Sequence, residues 1–329
     1  MSLLDIEDLS VDYRSASGTL RAVDHVSLRV EAGEAVGIVG ESGCGKTSLG
    51  LSIPMLLPSN ASIASGSITL AGRSLVGLSE SELNTLRWTS VAFIFQGAMN
   101  ALNPVQRVDR QILEAITAHD EHASKEESYA RVLELLDRVG ISPARARSYP
   151  HEFSGGMRQR AMIAMSLACR PSLLIADEPT TALDVISQAQ ILALLASLRQ
   201  SNSLSVLMIS HDLSAIKKVC DRIVVMYAGV VVESGSTEQV LGRRGEPATA
   251  QHPYTKALIR AHPDLRGERV LAEGLAGHPP DLSREIEGCR FADRCPSVMA
   301  TCRRVEPPVV TLAPGHVARC HLAVRGDHE

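Results

Sequence analysis

Apolar residues near the start of the chain fall in short runs that partly alternate with polar ones: Leu3–Val11, Ala22–Val30 and Ala35–Val39. Turn-forming pairs at Ser17-Gly18 and Ala32-Gly33 separate them, so the pattern predicts antiparallel strands over residues 1–39. Thr47–Leu57 predicts a helix that stops before Pro58. Ser67–Leu70 and the stretch after Ala71-Gly72 predict a hairpin, and Val91–Phe95 is a β-rich run ending at Gln96. Across residues 100–150 the alternation gives way to helical spacing. Ser124-Lys125-Glu126-Glu127 fits a capping box, Val132, Leu133, Leu135, Leu136 and Val139 form one apolar face, and Gly140 supplies a stop. Leu173–Ala176 and Val206–Ile209 are continuous apolar runs, the mark of strands buried on both faces. An amphipathic helix through Leu198 lies between them, and Arg222–Tyr227 with Val230–Glu233 forms a hairpin about Ala228-Gly229. Strand and helix patterns alternating in this order predict an α/β fold with a helical insertion between sheet elements, spanning about residues 98–165. Gly242–Gln251 reads as a linker. From about Ala261 the chain turns rich in Pro, Gly and Cys, which divides it into a main domain, 1–258, and a small Cys-rich extension, 259–329.

Composition narrows the picture without changing it. In 329 residues, a 45% hydrophobic content is ample for a large core. The net charge of −4, from 33 basic and 37 acidic residues, argues against a nucleic-acid partner. The Met1–Asp8 segment is acidic and unlike a signal peptide, and no apolar run reaches the ~18–20 residues of a membrane span. A membrane role is therefore expected through a partner.

Candidate chemistry concentrates in five places. Gly40-Glu41-Ser42-Gly43-Cys44-Gly45-Lys46-Thr47-Ser48 fits G-x-x-x-x-G-K-[ST], with a strand before it and a helix after. Glycines there let backbone N–H groups converge on phosphate oxygens, Lys46 reaches the β- and γ-phosphates, and Thr47 offers a hydroxyl to Mg2+. Gln96, a polar amide after a buried strand, can face a cleft or simply end a strand. Ser154-Gly155-Gly156 ahead of an apolar helix is either a helix cap or an anion nest. Asp177-Glu178 ends a hydrophobic strand in two carboxylates, the first suited to Mg2+ and the second to polarising an attacking water. His211 lies just past a strand end, where ligands of α/β sheets bind and it could donate to a γ-phosphate, although taken alone a structural role is the better reading. Tyr13 reads as an edge-strand side chain or as a ring for a planar ligand.

Taken together and in this order, the motifs resemble the ATP-binding subunit of an ATP-binding-cassette (ABC) transporter over about residues 3–240. The resemblance implies a cassette fold: an antiparallel β subdomain, a RecA-like P-loop core and a helical insertion. It implies ATP with Mg2+ held by Thr47, Gln96 and Asp177, Glu178 as general base, His211 as switch histidine and Tyr13 stacked on adenine. Ser154–Met157 matches the signature, with Phe153 and Met157 departing from the usual Leu and Gln, and Ala182-Leu183-Asp184 matches the D-loop. A signature serves the ATP of a second subunit, so the resemblance implies a dimer, usually a heterodimer. Phe95–Pro104, Ser154–Arg160 and His252-Pro253-Tyr254-Thr255 are similar to the dipeptide/oligopeptide importer branch, which also includes nickel and glutathione importers. The partners implied are a second ATPase, two permease subunits at the cytoplasmic face of the membrane, and an extracytoplasmic solute-binding protein. Soluble cassette ATPases of DNA repair or translation are the rival class; long coiled coils or tandem cassettes mark those, and neither occurs here.

Of seven cysteines, Cys289, Cys295, Cys302 and Cys320 cluster in the extension, and Cys44, Cys169 and Cys220 are scattered. Four thiolates suit Zn2+, an iron–sulfur cluster or two disulfides. His316 and His321 flank Cys320 as substitute ligands. The tail, Gly288–Phe291 with Arg294-Cys295-Pro296, resembles the C-terminal extension of the same importer branch, and that resemblance implies a [4Fe–4S] cluster in a structural role. Cys44 stands at a motif position where only its backbone N–H is required.

Overall fold

The computed structural model describes residues 2–16, 18–97, 101–120, 123–202, 204–243, 248–261, 275–284 and 286–324. The strands are β1 (Ser2–Ser15), β2 (Gly18–Glu31), β3 (Ala35–Val39), β4 (Ala61–Leu70), β5 (Arg73–Ser74), β6 (Val91–Ile94), β7 (Leu173–Asp177), β8 (Ser205–Ile209), β9 (Arg222–Tyr227), β10 (Val230–Ser236), β11 (Val309–Ala313) and β12 (His316–Arg319). The helices that matter below are α1 (Lys46–Ser52), α2 (Glu80–Leu86), α3 (Val108–Thr117), α4 (Lys125–Arg138), α5 (Gly155–Ser166), α6 (Val185–Asn202), α7 (Leu213–Val219), α8 (Thr237–Leu241) and α9 (Pro253–Ala261).

Two sheets share the strands. An antiparallel sheet runs in the order β2-β1-β4-β5, and a larger one in the order β11-β12-β10-β9-β3-β8-β7-β6. The expectation that residues 1–39 are all antiparallel fails at β3, which lies between β8 and β9 and is parallel to both. All five residues of β3, β7 and β8 are buried. Their alternate side chains feed two different cores. Val36, Ile38, Ile175, Leu207 and Ile209 face the antiparallel sheet and meet Leu4, Ile6 and Val23. Ala35, Leu174, Val206 and Met208 face the helices and meet Ile112, Leu136, Ile163, Leu195 and Ile216. The two-residue period of a strand thus makes β3, β7 and β8 the shared wall of both layers.

The helical insertion is α3, α4 and α5, between β6 and β7. The Ser124 hydroxyl accepts the Glu127 N–H at 3.1 Å, and the Glu127 carboxylate accepts the Ser124 N–H at 3.0 Å, which completes the capping box. Gly140 adopts φ 73°, as a helix stop requires. The helix expected over Thr47–Leu57 is shorter: α1 ends at Ser52, because Pro54 has no N–H to continue the hydrogen-bond ladder, and Met55 then turns left-handed at φ 54°. Of the Phe95–Pro104 motif, residues 98–100 lie outside the described residues.

The extension does more than the sequence pattern suggests. Its β11–β12 hairpin adds to the core sheet: β12 pairs with β10, Ala318 opposite Glu233 and Val317 opposite Ser234. The core sheet edge is thereby covered. Phe291, 2% exposed, packs against Tyr227 and Tyr254 of the main core with ring centroids 5.2 and 5.4 Å away. The extension therefore has no need of a core of its own. It borrows one.

Candidate functional site

Strands β9, β3, β8, β7 and β6 are neighbours and parallel, so their carboxyl ends lie along one sheet edge. That edge collects side chains far apart in sequence. β3 releases the phosphate loop, β6 leads to Gln96, β7 ends in Asp177-Glu178 and β8 leads to His211. They line one cleft of about 450 Å3, together with Ser42, Gly43, Gly45, Lys46, Thr47 and Ser48. Tyr13, Leu20 and Ala22 of the antiparallel sheet close its other side. This is the place where open α/β sheets bind ligands.

The loop geometry explains its glycines. Gly40 has φ 154°, and a Cβ there would stand 2.2 Å from the Met226 carbonyl oxygen. Gly45 has φ 100°, and its Cβ would stand 2.1 Å from the Ala22 carbonyl oxygen. Neither position admits a side chain. α1 starts on Gly45 with no side-chain cap, which leaves the N–H groups of its first turn to an anion. Lys46 is 8% exposed, and its Nζ donates to the Gly40 and Glu41 carbonyl oxygens, 2.8 Å each. Cys44 is buried beneath the loop with its Sγ 3.7 Å from Lys46 Nζ. Burial pushes its thiol pKa up. Its side chain packs the loop even though phosphate requires only its N–H.

Thr47 and Asp177 meet at one corner of the cleft. Thr47 Oγ1 donates to Asp177 Oδ2 at 2.8 Å, and Asp177 Oδ1 is buried with no hydrogen-bond partner among the described residues. Burial holds the Asp177 carboxyl above its ordinary pKa, opposed by the Thr47 hydrogen bond, with Glu178 repulsion adding to the rise. An orphaned carboxylate oxygen beside a hydroxyl is a donor set that Mg2+ fits, and a cation there would oppose the upward shift that burial gives Asp177. Gln96 lines the same cleft from an exposed position.

Glu178 sits in a left-handed conformation, φ 49°. Its Oε1 accepts from His211 Nδ1 at 2.8 Å and from the His211 backbone N–H at 3.0 Å, and Thr181 Oγ1 donates to Oε2 at 3.2 Å. The carboxylate is thus aimed before any substrate arrives. Thr181 was not singled out from the sequence, although its spacing of three from Glu178 across Pro179 is that of a turn partner. Tyr13 reaches the cleft with its hydroxyl 3.0 Å from Ser48 Oγ.

The signature stands apart. Ser154, Gly155 and Gly156 open α5, where the Ser154 hydroxyl accepts the Met157 N–H at 3.3 Å, and the described residues lining the cleft do not include them. Gly156 packs on α6, where a Cβ would stand 2.8 Å from Ser187 Oγ. Asp184 begins α6 by accepting the N–H groups of Ile186 and Ser187 at 3.0 and 2.9 Å. The start of α5 thus packs against the start of α6 at Gly156, while Ser154 is exposed.

Cys289, Cys295, Cys302 and Cys320 converge on one small pocket with His252 and His321. All seven cysteines of the chain are free thiols. Burial pushes the Cys289 thiol up to about 11, with the neighbouring cysteines adding to it, and raises Cys295 and Cys320 as well. Four thiols in one place are the right donor type for the expected cluster. The arrangement is not that of a formed site: the pocket holds about 10 Å3, and among the described residues no set of three or more His, Cys, Asp and Glu is placed to hold a metal ion. His316 is not among the described residues that line the thiol pocket; it lies instead with its Nε2 2.9 Å from Glu233 Oε1 in a buried pair. His252, which the sequence reading passed over as a ligand, lines the pocket instead.

Among the described residues, no helix is long and apolar enough to cross a membrane. Comparison with known proteins places the chain. Residues 23–181 match the model of the ABC transporter family, and residues 232–302 match that of the oligopeptide/dipeptide transporter C-terminal region. A probable peptide ABC transporter ATP-binding protein, y4tR of Sinorhizobium fredii, is 44% identical over 97% of this chain and 94% of its own length. The oligopeptide transport ATP-binding protein OppD of Salmonella typhimurium is 44% identical over 98% of this chain and 94% of its own. The dipeptide transport ATP-binding protein DppD of Escherichia coli is 42% identical over 98% and 97%. Among solved structures, the dimeric ATP-binding cassette MJ0796 in a post-hydrolysis state with ADP and Pi superimposes with a TM-score of 0.64 at 27% identity, covering 71% of this chain and 98% of that one. With its P-loop cleft, paired carboxylates and matched C-terminal region, this chain belongs to the ATP-binding subunits of ABC transporters, in the oligopeptide/dipeptide branch, and is an ATPase.

Proposed function

We propose that this subunit energises import of di- and oligopeptides through a membrane transporter. The observation that carries the reading is likeness to peptide-transport ATPases along nearly the whole chain, tail included, at 44% identity. In this reading ATP lies in the Tyr13–Lys46–His211 cleft, with Tyr13 against adenine and Thr47, Gln96 and Asp177 at Mg2+. Bound Mg2+ neutralises phosphate charge. Lys46 neutralises more of it, and Glu178, aimed by His211, takes the proton of the attacking water. Ser154–Gly156 faces away from this cleft and serves the ATP of a second ATPase subunit, in a heterodimer docked on two permease subunits at the cytoplasmic face. An extracytoplasmic solute-binding protein delivers the solute.

The four tail thiols are proposed to hold a [4Fe–4S] cluster, with Zn2+ the alternative, after rearrangement of the pocket and loss of their protons. Anaerobic purification and iron, sulfide and zinc analysis decide that point, and a metal-free protein refutes both. For the transport reading, the four-subunit complex in vesicles should show ATPase activity stimulated by its binding protein loaded with peptide. Stimulation by nickel or glutathione instead would reassign the solute. A chain that hydrolyses ATP but fails to copurify with membrane subunits would refute the transport role.

A further inference from the structure

Besides the β12–β10 pairing and the Phe291 packing, three charged pairs among the described residues tie the extension to the main domain, and one of them reaches the phosphate loop. Arg290 donates to the Ala228 carbonyl oxygen and pairs with Asp24 of β2. Buried Glu233 accepts from the Gln251 and His252 N–H groups at 2.8 and 2.9 Å and pairs with His316 of β12. The third grip is unlike these, because it ends on a residue of the nucleotide site. Arg294, its side chain 4% exposed, pairs with Glu41 through two parallel bonds, Nη1–Oε2 at 2.6 Å and Nη2–Oε1 at 2.9 Å. Its remaining donors are also taken: Nε by the Ala276 carbonyl at 2.9 Å, and Nη1 additionally by the Tyr227 hydroxyl at 3.2 Å. The Glu41 N–H in turn donates to the Tyr254 hydroxyl at 2.8 Å. Side chain and backbone of Glu41 are both fixed from outside the loop.

We propose that Arg294 is a positioning residue for ATP binding: the extension clasps Glu41 and so presets the phosphate loop. The path is short. The Gly40 and Glu41 carbonyl oxygens are the acceptors that hold Lys46 Nζ, so fixing Glu41 fixes where that amine starts. A loop whose N–H groups already converge loses less conformational entropy when phosphate binds. A bidentate pair with its guanidinium buried and its carboxylate only 26% exposed holds geometry better than a fully exposed one. Arg294 directly precedes Cys295, so the clasp also joins the thiol pocket to the nucleotide site.

The inference rests on the loop being the ATP site, and the test separates the two. ATP titration calorimetry on the full-length chain compares wild type, Glu41→Gln, Arg294→Gln, their double variant and Arg294→Lys. Each Gln variant is expected to weaken ATP about tenfold, because each removes the charged pairing between Arg294 and Glu41. The double variant should be no worse than either single, and Arg294→Lys should recover part of the affinity. In the assembled transporter the loss should fall on KM for ATP and not on kcat. Unchanged or tighter ATP binding by Glu41→Gln overturns the proposal, as does an additive loss of about a hundredfold in the double variant. Glu41→Gln is isosteric and leaves the other Arg294 bonds in place, so it carries the test if Arg294→Gln fails to fold. If Lys46→Ala binds ATP normally, the site reading fails and the clasp with it; if Lys46→Ala loses ATP while both Gln variants keep it, the clasp alone fails.

Discussion

Replacing Glu178 with Gln isolates proton transfer from geometry. In the structure the Glu178 carboxylate makes three hydrogen bonds: two accepted by Oε1 from His211 and one accepted by Oε2 from Thr181. A glutamine amide oxygen at the Oε1 position accepts both His211 bonds, and its NH2 group donates to the Thr181 hydroxyl, which accepts as readily as it donates. The side chain stays aimed, and the chain should unfold at the wild-type denaturant midpoint. The basicity, however, is gone. Removing a positioned general base costs about 10²–10⁴-fold, or ~3–5.5 kcal/mol on the barrier. ATP binding should hold or tighten, because the Glu178 charge now contributes to raising the Asp177 pKa and Gln removes that repulsion. The assay is steady-state ATP hydrolysis by the assembled transporter, with ATP affinity measured in parallel. A kcat within about threefold of wild type, at unchanged affinity, would show that another group takes the proton. An equal fall in affinity and kcat would show that Glu178 holds the nucleotide rather than the water.

Other outcomes follow from the same geometry. Gly45→Ala places a methyl group 2.1 Å from the Ala22 carbonyl oxygen and should abolish ATP binding in calorimetry; retained affinity would mean that the loop relaxes away from β2. Phe291→Ala empties a site between Tyr227 and Tyr254, so stability by urea titration should fall by about 3–5 kcal/mol, and protease cleavage within the extension should rise first. Buried His252 has its pKa depressed to about 4, so it folds neutral and its contribution is complete above the unfolded value near 6.5. Stability should then be lost as pH falls through that window, by about 2 kcal/mol between pH 7 and pH 5 at 1.36 kcal/mol per unit. His252→Asn, which keeps an acceptor for the Tyr254 N–H, should flatten the slope; an unchanged slope would place the titration elsewhere. Ser154→Arg should leave ATP binding to the isolated chain intact and block hydrolysis only in the assembled transporter, as a signature that serves a partner's ATP requires.

The sequence by itself determined what depends on local chemistry. Gly40 to Ser48 is a contiguous motif, the Ser124 capping box is local, and Asp177-Glu178 after an apolar run announces carboxylates at a strand end. These readings survive because each rests on residues within a turn or two of one another. The antiparallel expectation for β3 did not survive, since a buried strand reads alike whatever its neighbours, and β3 lies parallel between β8 and β9. α1 ends before the boundary that Pro58 marks, because Pro54 already lacks the N–H that the ladder needs.

Only the tertiary structure decided which distant groups meet. The order β9-β3-β8-β7-β6 brings Gly40, Gln96, Asp177 and His211 to one sheet edge, and no spacing along the chain encodes that order. It also decided that the extension is sheet as well as loop: β12 pairs with β10, Phe291 enters the main core, and Arg294 closes on Glu41. A conventional arginine in a Pro- and Gly-rich tail carries no mark of its partner 253 positions away. The physical reason is general. Hydrophobic burial and parallel strand pairing are long-range and non-directional along the chain, so the sequence specifies the parts of the nucleotide site, and packing decides which residues hold them still.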